Sequence, residues 1–338
     1  GELERRSPWR FSGLCGGIFL AALLFLVLGK TSSPAETGLP DPFEAVVRAA
    51  EAVLPSVVTL EVAVPDSHPA AAILGTTRVG TGVVVSHEGH ILTASYIAMG
   101  GRKIRVTLTD GRVFPGRVYK VDHTSGLAVV KVEASGLSPA PLGESRGLRI
   151  GQMAIAVGSR GGSERVVHHG IISALRSFTA PWEFLLEKAV YTTAMPSGFF
   201  GGTPLLDARG RVVGIVSLNM RGMGLAIPID LFTAVQKDLL NIRPDERRVL
   251  PWLGVLTTFV GDELLVRRVT AKGPAGISGV LPRDTIQEVD GKRVESQEEF
   301  YRAVWRHRVG DPIQLTLKRG QKTLRVQVYG GNREEFYR

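Results

Sequence analysis

The sequence predicts a mainly β protein: a long all-β region, then a smaller α+β module, behind an N-terminal apolar segment. Three observations carry this expectation. From Ser56 onward, short β-branched runs are separated by turn residues such as Glu88-Gly89, Asp110-Gly111 and Arg209-Gly210, at about 8–12-residue spacing, as in a sandwich or barrel. The block 251–330 mixes strand-like runs with helical stretches near 275–280 and 296–307. Phe11 to Gly29 is a run of 19 residues without a charge.

That apolar run spans about 28 Å as a helix, close to one hydrocarbon core. Arg5, Arg6 and Arg10 before it and Lys30 after it favour a cytoplasmic N-terminus at 1–10, an anchor at 11–29 and a linker at 30–41. The alternative is a signal peptide cut near Ser33-Pro34-Ala35, although the run exceeds the ~7–15 residues usual for such a segment. Residues 42–53 follow with Phe43, Val46, Val47, Ala50 and Val53 at helical spacing, Asp41 as N-cap and Pro42 in the first turn. Strand-like runs begin at Ser56, Thr81, His90, Lys103, Arg112, Leu127, Met153, Val166, Ala189 and Arg211. A helix near 229–240 closes the region, and 241–250 reads as a second linker.

Composition narrows the function classes. With 44% hydrophobic and 22% charged residues, the 338-residue chain is globular. Cys15 is the single cysteine, which removes any intramolecular disulfide and any cysteine-built zinc site. The net charge of +9 does not point to nucleic acid, because residues 243–338 intersperse 18 basic with 13 acidic side chains and form no basic helix. His168-His169 lies in a strand-like run, where neighbours point to opposite faces, so the pair cannot chelate one metal. No metal or cofactor is expected.

GTGVVVSHEGHILTASYIAMG at 80–100, DHTSGLAVVKV at 122–132, PLGESRGLRIGQMAIAVGS at 141–159, PLLDARGRVVGIVS at 204–217 and GLAIPID at 224–230 resemble, in order, the signatures of HtrA (Deg) serine proteases. The resemblance covers about residues 45–330. It implies a chymotrypsin-like pair of six-stranded β-barrels over 42–240, a PDZ domain over 251–330 and a C-terminal tail at 331–338. Trp252-Leu253-Gly254-Val255 is similar to the PDZ loop that holds a peptide's terminal carboxylate, with a helix around Gln297 to His307 as pocket wall.

Catalysis in that family needs a serine nucleophile, a histidine base and an aspartate that orients the histidine. Where the histidine motif matches, this chain has Tyr96, a phenol protonated at neutral pH and a poor base. Gly126 stands at the aspartate position, just before Leu127-Ala128-Val129. Counting from Gly198 puts Phe200 at the nucleophile, and counting back from Pro204 puts Gly201 there. Neither carries a hydroxyl, and the nearest, on Ser197 and Thr203, are displaced by residues where catalysis needs ångström precision. Phe199 and Phe200 are expected to fill the former pocket, and His123, three residues before Gly126, to be an exposed turn residue or, alternatively, to swing towards the cleft.

With those departures, the resemblance implies a membrane-anchored pseudoprotease on the periplasmic side of a bacterial inner membrane. It would bind peptides, unfolded segments or protein C-termini through the PDZ domain and act as scaffold, chaperone-like binder or regulator. A homotrimer, or a hetero-oligomer with an active homologue, is the assembly it implies. The alternative is a still-active serine endopeptidase in periplasmic protein quality control.

Overall fold

The computed structural model describes residues 41–234, 236 and 249–338. The anchor expected at 11–29, nearly all of both linkers and the far end of the helix expected at 229–240 lie outside the described residues. Among the described residues, no helix is long and apolar enough to cross a membrane.

Helix α1 (Pro42–Val53) leads into the first barrel and buries Val46, Ala49, Ala50 and Val53. Phe43 and Val47 remain exposed, although the Phe43 ring meets His169 edge-on at 5.4 Å. Strands β1 (Val57–Ala63), β2 (Thr77–Val84), β3 (His90–Ala94), β4 (Lys103–Thr107), β5 (Val113–Asp122) and β6 (Leu127–Val132) close in the order β1-β2-β3-β6-β5-β4. Strands β7 (Met153–Gly161), β8 (Glu164–Ala180), β9 (Phe184–Thr192), β10 (Thr203–Leu206), β11 (Val212–Met220) and β12 (Met223–Pro228) close a second barrel as β10-β11-β12-β9-β8-β7. Closure leaves no unpaired sheet edge, and the β-branched runs supply interiors such as Val58, Leu60, Ile91 and Val130 in the first barrel.

Three short helices interrupt the barrels: α2 (Ala71–Leu74), α3 (Ser95–Ala98) and α4 (Asp230–Thr233). Of these, α3 was not legible, because Ser95 to Ala98 continues the apolar pattern of β3. Strands β10 and β12 lie in the stretches that resemble family motifs and carry no β-branched run of their own.

The terminal module contains β13 (Pro251–Trp252), β14 (Val255–Val260), β15 (Glu263–Val269), β16 (Thr285–Val289), β17 (Lys292–Arg293), β18 (Pro312–Arg319), β19 (Lys322–Tyr329) and β20 (Gly331–Asn332). Its sheet runs β14-β15-β16-β18-β19, with β17 paired to β16. Helices α5 (Pro274–Ile277), α6 (Gln297–Val304) and α7 (Arg333–Phe336) complete it. Ser296 caps α6 by accepting the Glu299 amide at 3.0 Å, and Phe300, Tyr301 and Val304 of that helix enter the core. The last eight residues are not a tail. Strand β20 pairs with β13, and α7 brings Phe336 and Tyr337 onto Trp252, with ring centroids 4.8 and 5.7 Å away.

Candidate functional site

Strand β3 ends at Ala94, and α3 turns the Tyr96 side chain toward the second barrel. The turn is held by Arg78, whose Nη1 donates to the carbonyls of Tyr96 at 2.8 Å and Met99 at 2.6 Å. The Tyr96 hydroxyl donates to the Ser217 carbonyl oxygen at 2.7 Å, and burial pushes the phenol well above its usual pKa. Tyr96 is therefore a fixed, protonated donor and accepts no proton at neutral pH.

Facing it is the loop before β10. The Gly201 carbonyl accepts the Thr81 amide at 2.8 Å, and the Gly202 amide donates to Val216 O at 2.8 Å, so the loop is tied to both barrels. A Cβ on Gly201 would lie 2.2 Å from the Tyr96 hydroxyl oxygen and 2.9 Å from its Cζ. Gly201 and Tyr96 thus fit together only because residue 201 has no side chain. Phe200 is half-buried against the second barrel's core, whereas Phe199 is 38% exposed and does not fill the pocket as expected. Thr203 is fully buried.

Gly126 has φ +78°, in the left-handed region that favours glycine, and a Cβ there would meet Phe184 Cζ at 2.9 Å. Its carbonyl accepts the Ser95 amide at 2.8 Å, which joins it to the start of α3. Tyr96, Gly126 and Phe200 line one cavity of about 460 Å³. Its other walls include Trp182, Phe184, Trp252, Gly254 and Tyr337, so the cleft between the barrels is roofed by the terminal module. The lining is predominantly apolar and aromatic. Among the described residues, no three His, Cys, Asp or Glu side chains converge as a metal site would require.

The Trp252–Val255 loop is occupied. The Glu183 carboxylate, in the turn between β8 and β9, accepts the backbone amides of Leu253 at 2.8 Å, Gly254 at 2.9 Å and Val255 at 3.1 Å. Gly254 has φ +81°, the conformation that lets successive amides point at one acceptor. Glu183 is buried at 5% exposure. Burial raises its pKa, while the three amides and the Arg333 guanidinium pull it back down. The Leu253 and Val255 side chains are buried in the module's core, and Trp252 packs on Phe336 and Tyr337.

His123 is not an exposed turn residue. It lies 5.7 Å from the Tyr337 ring, and burial, with the nearby Arg333 charge second, lowers its pKa to about 3. It lines the same cavity as Tyr96 and Gly126, and its lowered pKa keeps it neutral there. Sequence reasoning missed Glu183, Arg333, Tyr337 and His68, whose Nε2 lies 3.1 Å from Tyr337 O. Of these, Glu183 alone had a local signal, an acidic residue in an apolar stretch, Ala180-Pro181-Trp182-Glu183-Phe184-Leu185.

Residues 80–215 match the trypsin-like peptidase domain, and residues 251–329 match the PDZ domain. The chain is 33% identical over 281 residues to the putative serine protease HhoA of Synechocystis sp., covering 74% of this chain and 69% of that protein. It is 31% identical over 274 residues to HhoB of the same organism, and 32% identical over 271 residues to a probable periplasmic DegP-like serine endoprotease of Halomonas elongata. Those matches cover 75% of this chain, and the chain spans 66% of HhoB and 56% of the Halomonas protein. Among solved structures, the HtrA-type protease AlgW with a decapeptide superposes with TM-score 0.56 at 26% identity, over 85% of this chain and 98% of AlgW. A serine endoprotease from Yersinia pestis gives TM-score 0.56 at 26% identity, over 87% of this chain and 99% of its own. Colinear motifs, two closed barrels, a terminal PDZ module and these relatives agree: the chain belongs to the HtrA family of trypsin-like, PDZ-containing serine proteases.

Proposed function

We propose that this chain is a non-proteolytic member of its family, which works by binding peptides, unfolded segments or protein C-termini as a scaffold, chaperone-like binder or regulator. The observation that carries the reading is the Tyr96–Gly201 pair. Among the two alternatives of the sequence, the close approach to Tyr96 favours Gly201 over Phe200 as the nucleophile position. A serine there would collide with the residue in the base position, which itself is a protonated hydrogen-bond donor. Gly126 supplies no carboxylate, and a side chain there would meet Phe184.

The backbone supports the same reading. An oxyanion hole uses the amide of the nucleophile and that of the residue two before it. With Gly201 as nucleophile, the second amide is that of Phe199, which donates to Ser159 O at 3.3 Å. One of the two donors that would stabilise a tetrahedral intermediate is thus spent inside the fold.

The apolar run 11–29, with arginines upstream, supports anchoring to a bacterial inner membrane with the barrels and PDZ module in the periplasm. The periplasmic descriptions of relatives agree in direction. Assembly as a homotrimer, or with an active homologue, belongs to the same proposal. The test is treatment of the full chain with a fluorophosphonate, which attaches covalently to an activated serine. Intact mass spectrometry should find no adduct, and a stoichiometric adduct on Ser197, Ser125 or any other serine would overturn the proposal.

A further inference from the structure

The turn that carries Glu183 does more than touch the PDZ loop. It also engages the edge of β14 next to that loop. A strand exposes every second amide along one edge, so Val255 and Thr257 of β14 present theirs on the same side. The Val255 amide reaches the Glu183 carboxylate, and the Thr257 amide donates to Pro181 O at 3.0 Å, two residues before Glu183. Pro181 O and the Glu183 carboxylate, both on the tight turn between β8 and β9, thus take the two β14 amides that an added strand ending in a carboxylate would use, with the Glu183 side chain in place of a chain-terminal carboxylate.

Helix α6 closes the other side. The Tyr301 hydroxyl donates to Ala180 O at 2.6 Å and accepts the Glu183 amide at 3.0 Å. Gln297 Nε2 donates to Thr257 O at 2.8 Å and to the Tyr301 hydroxyl at 3.1 Å. Arg333 Nη1 donates to Trp182 O at 3.1 Å. Glu183 adopts φ +56°, a conformation costly for a non-glycine residue and kept only where surrounding contacts enforce it.

We propose that Glu183 is the PDZ module's internal ligand: a carboxylate latch that must leave the Leu253–Val255 amides before any external C-terminal carboxylate can bind. The inference rests on the reading of the module as a peptide binder. The three amides accommodate one carboxylate, and Pro181 already uses the Thr257 amide, so internal and external ligands compete for the same donors. The affinity of a free peptide is then reduced by the fraction of molecules in which the turn has left the groove.

Fluorescence polarisation of the full chain and its Glu183→Gln variant tests the latch. The probe is a fluorescein-labelled peptide reproducing residues 176–182 and ending in valine, with a free carboxylate or amidated. A glutamine keeps the size but sets an NH₂ group against backbone donors, so the variant should bind the free-carboxylate peptide at least about tenfold more tightly than the native chain. The amidated peptide should gain much less. Arg333→Gln, which releases the carbonyls of Trp182 and Glu183 while leaving the Glu183 carboxylate on its three amides, should shift affinity in the same direction by a smaller factor. Amides of Leu253, Gly254 and Val255 should exchange slowly in the native chain and faster in Glu183→Gln.

Equal affinity of native and variant chains for the free-carboxylate peptide overturns the latch, as does equal amide exchange. Binding to neither overturns both the latch and the peptide-binding reading. Cleavage of a protein substrate by the native chain would end the non-proteolytic reading and leave these affinities to judge the latch separately.

Discussion

The Tyr96 hydroxyl and the Cα of Gly201 share a space that admits only one of a serine side chain or a phenol. Tyr96 holds it with a hydrogen bond to Ser217 O at 2.7 Å, and the missing Cβ of residue 201 leaves it open. Gly201→Ala should therefore destabilise the chain by about 1–3 kcal/mol, the range for overpacking a filled interior. In a Tyr96→His background, the same change should cost less by at least about 0.5 kcal/mol, the coupling expected of residues in contact. Urea unfolding of the four chains measures this cycle, and strict additivity would deny the contact.

Gly126 resists restoration for two reasons. Its φ of +78° costs a side-chain-bearing residue about 1–2 kcal/mol, and Phe184 stands where the Cβ would go. Gly126→Asp should lower the urea midpoint at least as much as Gly126→Ala. A rise in stability would mean that the carboxylate finds a partner in the cavity.

The barrels were legible in the sequence because closed sheets impose local signals. Each strand buries one face or both, so runs such as Leu127–Val132 and Met153–Ser159 read as β from their own residues. The candidate triad positions rest on the family resemblance, which leaves Phe200 and Gly201 as alternatives; what distinguishes them is proximity to Tyr96, which the chain's order does not encode. Glu183 lay beyond reach for the same reason. An acidic residue in an apolar stretch marks it locally, but its partners lie about 70 residues away, and that pairing is not encoded nearby. The module's Arg283 shows the converse, since it takes φ +75°, a backbone conformation that its own residue type does not signal.

His123 should make the fold acid-sensitive. Its unfolded pKa is about 6.5, and its folded value is lowered to about 3 by burial and by Arg333. Between those values the unfolded chain binds more protons, so the histidine's contribution is complete above pH 6.5 and is lost as pH falls, by up to about 1.4 kcal/mol per pH unit. The Tyr337 ring and the Arg333 guanidinium face it, and Glu183 and Glu334 line the same recess. In urea titrations at pH 7.5, 6 and 5, the native chain should lose more stability than His123→Gln. Parallel curves would contradict the assignment.

The C-terminal helix should behave as part of the core. Tyr337 is buried against Trp252 and approaches His68. Tyr337→Ala should cost about 2–4 kcal/mol, as for other buried aromatic truncations, and should shift tryptophan fluorescence to the red as Trp252 meets water. Unchanged emission and stability would return residues 331–338 to the status of a tail.

The central claim is that the chain binds without cutting, and casein turnover by the full chain tests it most directly. It should be run beside the chain carrying Tyr96→His, Gly126→Asp and Gly201→Ser together. The native chain should give no turnover above the buffer blank, at neutral pH and with peptide present or absent. Cleavage by the native chain that a serine-directed inhibitor abolishes would contradict the account, whatever the substituted chain does.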